Sequence, residues 1–145
     1  MQKIQNRSLK VITHEKGSIR KMIDKNDTCF EGFGEIYMSD IKFRCIKGWK
    51  LHTNKTSNLI VVHGYVNIVA WSPERPNLFN SYYLGLLENK NYNYSRITIG
   101  PNIWFAFMGL HKPISRVLNL SNTLNSETIS RTMDIKDVNY KWSNL

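Results

Sequence analysis

The chain has 145 residues, 41% of them hydrophobic and 21% charged, with 20 Lys plus Arg against 11 Asp plus Glu for a formal net charge of +9. That length suits one domain with a core of its own, and two cysteines, Cys29 and Cys45, without CxxC spacing exclude a structural zinc site or a disulfide framework. The positive balance attracts polyanions of any kind, but the basic residues are scattered and form no nucleic-acid arm.

The opening MQKIQNRSLKVITHEKG carries positive charge without the apolar stretch of a secretory signal. Together with reduced thiols, this makes the cytoplasm the expected compartment. Beyond it, short apolar runs rich in Ile, Val, Tyr, Phe and Trp are separated by turn signals such as Gly32-Phe33-Gly34 and Gly100-Pro101-Asn102. Strands are predicted over 34–42, 46–52, 59–62, 65–71, 82–88, 94–99, 104–109 and 115–120, a spacing that argues for an all-β sandwich or barrel. The His63-Gly64 pair predicts a tight hairpin turn with glycine at positive φ, so that 59–62 and 65–71 should pair. The longest uncharged run, 59–72, is broken by His63, Gly64 and Asn67 and falls short of the roughly 20 residues of a membrane span. No membrane association is expected. Residues 121–145 are more polar and read as a C-terminal arm packed on the strands. A short helical turn is expected there after a Ser126 cap, with Glu127 and Arg131 one turn apart.

Of the four histidines, His14, His63 and His111 stand in turns or loops and are expected to be solvated. His52 closes the strand IKGWKLH, where alternation puts Lys50 and His52 on one face and Trp49 and Leu51 on the other. If that face lines the interior, a titratable base and a cation converge in one pocket, suited to removing a proton and stabilising an enolate or a diphosphate. A metal site would want a second histidine where Lys50 stands, so no metal or other cofactor is expected. No GxSxG, P-loop or GxGxxG is present, which removes the usual signals of acyl transfer, NTP hydrolysis and dinucleotide chemistry. Trp104, Phe105 and Phe107 crowd aromatic rings into a stretch too short to bury every ring on one side, and one or two of them are expected to floor a pocket.

The order Gly-Glu-Ile-Tyr at 34–37, IKGWKLH at 46–52, Asn58-Leu59-Ile60-Val61-Val62 with Gly64, IGPNIWFAFMGL at 99–110, Leu118-Asn119-Leu120, then Glu127, Arg131 and Tyr140-Lys141-Trp142 resembles the dTDP-4-dehydrorhamnose 3,5-epimerase family of cupins. It is most similar to a short branch of that family with a Trp-Lys-x-His and Trp-Phe-Ala-Phe pattern, found among surface-polysaccharide genes. The resemblance implies a double-stranded β-helix, or jelly-roll barrel, with a short C-terminal arm. It also implies a homodimer acting in the cytoplasm on a nucleotide-linked 4-keto-6-deoxy sugar in surface polysaccharide or lipopolysaccharide biosynthesis.

Carried over by position, His52 matches the family's base, which removes the proton alpha to the ketone at carbon 3 or carbon 5. Asp134 or Asp137 would orient it. Glu35, Asn58, Trp104, Phe105, Phe107 and Asn119 are the expected substrate-binding residues. Two departures stand out: Leu124 and Asn125 occupy the stretch where the family keeps its acid tyrosine, and Phe105-Ala106-Phe107 replaces a His-Gly-Phe. Inversion needs a proton removed from one face and delivered to the other, so another tyrosine, Tyr37 or Tyr65 by strand position, is the candidate acid.

Suprafacial ketoisomerisation with His52 shuttling a proton, and a binding module with a decayed catalytic set, are the alternatives. A basic nucleic-acid-binding barrel ranks behind both, because a nucleotide-sugar diphosphate already accounts for a basic surface.

Overall fold

Alternation of inward and outward side chains organises the molecule into two facing antiparallel sheets built on one shared strand. The structure, a computed structural model, describes residues 3–87 and 93–142. Among them, β1 (Ile4–Ser8), β2 (Val11–Ile12), β3 (Ile19–Arg20), β4 (Glu35–Lys42), β5 (Ile46–His52), β6 (Ser57–Trp71), β7 (Phe79–Leu86), β8 (Ser95–Ile99), β9 (Trp104–Gly109), β10 (Ile114–Ser121) and β11 (Ser130–Thr132) follow one another, with single 3-10 turns at Asn125–Glu127 and Ile135–Asp137. Glu88, the predicted end of one strand, lies outside the described residues.

The first sheet runs β1-β8-β6-β10-β4 and the second β7-β6-β9-β5-β11. β2 and β3 form a separate hairpin. The all-β architecture is the expected one, but the sheets are not closed into a barrel. Among the described residues no ladder joins β4, the edge of the first sheet, to β11, the edge of the second. β1 and β11 arise in segments for which the sequence predicts no strand.

The hairpin expected at His63-Gly64 is not formed. β6 runs straight through it, its first half pairing with β8 and β10 and its second half with β7 and β9. Gly64 does have φ 91°, yet the residue serves the passage of one strand between two sheets. Ser115 Oγ holds this point, accepting from Tyr65 N at 3.2 Å and donating to Tyr65 O at 3.0 Å. A Cβ on Gly64 would stand 2.5 Å from that same oxygen.

Between the sheets lies a core of Ile41, Leu59, Val61, Val66, Ile68, Leu84, Ile97, Ile99, Phe105, Phe107 and Val117. A second cluster, Trp49, Leu51, Val69, Trp104, Met108, Val138 and Trp142, covers the outer face of the second sheet. The C-terminal arm contributes Val138 and Trp142 to it, as expected of an arm packed on the strands. Its first 3-10 turn is capped by Leu124 without a side-chain hydrogen bond, and Ser126 lies inside the turn. Arg131 is in β11, so Glu127 and Arg131 do not share a helical turn. The polar composition of this tail is satisfied by strand pairing with β5 instead of by helix.

The segment ahead of β4 closes over the outer face of the first sheet. Arg96, 1% exposed, pairs there with Asp27 at 3.1 Å and donates to Met22 O. Asp24 N–H donating to its carboxylate, ahead of Arg96 and Arg7, holds the Asp27 carboxyl below the usual range in spite of burial.

Candidate active site

The site is set by an irregularity in β5. Three residue steps from Lys47 to Lys50 span only two on β9, from Phe107 to Phe105. The extra residue shifts the alternation, so Lys47, Lys50 and His52 all line the same inner cavity while Trp49 and Leu51 face outward into the second cluster. Gly48 makes this possible. Its φ is 132°, and a Cβ there would stand 2.7 Å from Ala106 Cβ.

The cavity, of about 580 Å³, lies between the inner faces of the two sheets. β4 contributes Glu35, Tyr37 and Ser39, β5 contributes Lys47, Lys50 and His52, β11 contributes Ser130 and Thr132, and β10 contributes Asn119. Phe105 and Phe107 floor it, with ring centroids 6.4 Å apart and an interplanar angle of 29°. His52 stands beside this floor, its ring 5.5 Å from that of Phe105.

His52 is buried and pairs in register with Ser130, whose Oγ lies 2.7 Å from Nδ1. With its hydrogen on Nδ1, donated to Ser130, the ring keeps the Nε2 lone pair as a base. Burial, then the charges of Lys55 and Lys50, lower its pKa to about 4. His52 is therefore neutral at pH 7. The partner is not a carboxylate. Asp134 accepts from Lys136 N at the start of the second 3-10 turn, Asp137 is exposed, and neither orients the imidazole.

Facing this wall, Tyr37 on β4 is register partner to Asn119 on β10. Its phenol oxygen accepts from Asn119 Nδ2 at 2.9 Å and from Lys55 Nζ at 3.2 Å. Lys55 is 1% exposed, and its ammonium lies 5.1 Å from the Tyr37 ring centroid. No carboxylate among the described residues pairs with it. Among the described residues Asn119 Oδ1 is buried without a hydrogen-bond partner, an acceptor available to a ligand hydroxyl. Glu35 accepts from Asn125 N at 3.1 Å, which fixes the chain where the resemblance placed the missing tyrosine.

Three expected residues stand away from the cavity. Trp104 alternates with Phe105 and packs in the outer cluster, with Arg131 Cζ 6.0 Å from its ring. Asn58 alternates with Leu59, and its amide donates to Cys29 O and accepts from Thr98 Oγ1 at 2.7 Å. Tyr65 is on the outward face of β6, its ring 6.1 Å from that of Tyr83. His63 and His111, expected to be solvated, are half-buried, and their rings meet nearly perpendicular, edge to face, with centroids 5.4 Å apart.

Lys55 and Ser130 are functional candidates that sequence reasoning missed. A lysine in the Thr-Asn-Lys-Thr loop carries no periodic signal, whereas Ser130 and Thr132 do show an alternation that reads as strand once β5 is there to pair with it. Among the described residues no group of three or more His, Cys, Asp and Glu gathers to hold a metal, and no helix is long and apolar enough to cross a membrane. The groups present amount to a neutral imidazole, cations and a phenol around an aromatic floor. They are equipped to remove a carbon-bound proton beside a carbonyl and to hold the resulting oxyanion.

No family model matches the chain, and neither does any curated protein. Its fold is that of several solved proteins. A dTDP sugar isomerase from Desulfovibrio desulfuricans G20 superposes with a TM-score of 0.83 at 24% identity, over 98% of this chain and 92% of that one. A 3'-monoepimerase from Streptomyces bikiniensis, solved with dTDP-quinovose, gives 0.80 at 8% identity over 97% and 75%. A sugar 3,4-ketoisomerase from Thermoanaerobacterium thermosaccharolyticum, solved with TDP, gives 0.69 at 18% identity over 87% and 86%. At these identities the likeness is one of fold, and it bears out the expected all-β, cupin-type fold.

Proposed function

We propose that the chain is an isomerase-class enzyme acting on a nucleotide-linked 4-keto-6-deoxy sugar, with His52 as the base that removes the proton alpha to the ketone. One observation carries this reading: a buried imidazole, kept neutral by its surroundings, shares a cavity wall with Lys50 above an aromatic floor. The sugar ring lies on Phe105 and Phe107. Lys50 and Lys47 take the diphosphate or the enolate oxygen, and Glu35 and Asn119 meet the sugar hydroxyls. Three proteins of the same fold are a dTDP sugar isomerase, a sugar 3,4-ketoisomerase solved with TDP and a 3'-monoepimerase solved with dTDP-quinovose, which supports the substrate class.

Of the two alternatives within this fold, a decayed binding module is disfavoured by the unpaired acceptor and neutral base it would have no reason to keep. The choice between epimerisation and suprafacial isomerisation turns on what faces His52. Surface polysaccharide biosynthesis in the cytoplasm is the proposed setting, in keeping with two free thiols.

The enzyme is proposed to be a homodimer. On the outer face of the first sheet, register puts Met38 beside Leu118 and Ile36 beside Leu120, with Met38 53% and Ile36 50% exposed. An apolar strip of this kind on an edge strand fits a second copy of the chain.

The test of function is uptake of deuterium from heavy water by dTDP-4-keto-6-deoxyglucose, read by mass spectrometry. The unaltered protein is expected to catalyse it and His52→Asn to lose it by about 100-fold or more. Equal uptake with both would refute the assignment of the base.

A further inference from the structure

The family resemblance leaves His52 without the usual opposing acid, and the cavity supplies a different group on its other wall. We propose that Tyr37, held through its phenol oxygen by Lys55 and Asn119, is the second proton-transfer group, so that the site inverts one carbon instead of shuttling a proton along one face of the sugar. This rests on the keto-sugar reading above and adds to it a catalytic residue, a positioning residue and a stereochemical outcome.

The geometry argues it in three steps. His52 comes from β5 in the second sheet and Tyr37 from β4 in the first, and both line the space between the sheets. A flat ring lying between them therefore meets the imidazole from one sheet and the phenol from the other. Next, the Tyr37 oxygen accepts from two donors, Lys55 Nζ at 3.2 Å and Asn119 Nδ2 at 2.9 Å. With both acceptor directions filled, the phenol's own hydrogen is free to point at a ligand. The same two donors meet the negative charge left on oxygen when that hydrogen departs.

Finally, a lysine 1% exposed and, among the described residues, without a carboxylate partner is costly to keep. Among the described residues its ammonium hydrogen-bonds to this phenol. Such a cation is explained by an anion that forms in its neighbourhood during turnover.

The step balances without any co-reactant. His52 Nε2 takes the proton from the carbon alpha to the ketone, the C–H pair forms the enolate double bond, and the carbonyl oxygen takes the negative charge beside Lys50. The enolate carbon then takes the Tyr37 hydrogen on its opposite face, the C=C pair forming the new C–H bond and the carbonyl being restored. This leaves imidazolium and phenolate, which return to the starting state by proton exchange with water.

The experiment follows dTDP-4-keto-6-deoxyglucose by proton NMR in heavy water and compares deuterium exchange with inversion at the same carbon for the unaltered protein, Tyr37→Phe and Lys55→Met. Tyr37→Phe keeps the ring and its packing. It is expected to go on exchanging the alpha proton while inversion falls by about 100-fold. Lys55→Met is expected to lower the inversion-to-exchange ratio by about tenfold with KM unchanged, a ratio that a merely structural lysine would not move. Inversion by Tyr37→Phe at the unaltered rate would overturn the proposal. So would formation of a 3-keto isomer in place of an inverted product, or loss of exchange in step with inversion. Absence of exchange with the unaltered protein would overturn the keto-sugar reading itself, and the proposal with it.

Discussion

At the scale of single residues, the behaviour of His52 follows from what surrounds it. Burial, Lys55 and Lys50 all disfavour the imidazolium, in that order, and lower the pKa from 6.5 to about 4. The base is lost only when pH falls through the lowered value, so the acid limb of kcat/KM is expected near pH 4. Lys50→Met removes one cation and should move that limb upward. A limb near pH 6.5 in the unaltered protein, or one that Lys50→Met leaves in place, would contradict this account of the site's electrostatics. His52 and Lys50 were legible in the sequence because a period of two states which side chains share a face. Lys55 was not, since a loop lysine looks solvated until the chain folds over it. Asn58 and Trp104 misled because block position carries no parity: each is one residue out of phase with its cavity-lining neighbours Leu59 and Phe105.

At the scale of elements, irregular backbone does the positioning. The extra residue in β5 gives Lys47 the same cavity as Lys50 and His52, and Gly48 is the residue that admits it. Gly48→Ala places a side chain at φ 132° against Ala106. It is expected to cost about 2 kcal/mol or more in urea unfolding and to depress activity with it. An unchanged midpoint would mean the bulge tolerates a Cβ after all. The His63-Gly64 pair teaches the limit of turn signals. The positive φ was correctly indicated, but a strand bending from one sheet to the next needs the same backbone as a hairpin, and only the pairing partners of β6 distinguish them. β11 escaped notice for a related reason, because three exposed polar residues become a strand only through β5.

For the whole molecule, fold class was legible from many short β-rich runs and their turns, while closure was not, because it depends on whether edge strands meet. Among the described residues they do not meet: β4 and β11 border a cavity with polar walls and an aromatic floor. The outer face of β4 and β10 is apolar at Ile36, Met38, Leu118 and Leu120, where a solvated sheet would be polar. Met38→Asp points away from the cavity-facing Tyr37. It is expected to convert a dimer to a folded monomer in sedimentation velocity, and a monomeric unaltered protein would refute the interface. The net charge of +9 suits an anionic diphosphate at the mouth of the site, a long-range attraction weakened by salt.

The central claim is that His52 removes a proton alpha to the ketone of a nucleotide-linked sugar. Proton NMR of dTDP-4-keto-6-deoxyglucose with the protein in heavy water, following carbons 3 and 5 beside the His52→Asn variant, tests it most directly. The account predicts that the signal at one of these carbons disappears with the unaltered protein and persists with the variant. Signals that persist at both carbons with the unaltered protein, or that disappear equally with the variant, would contradict it.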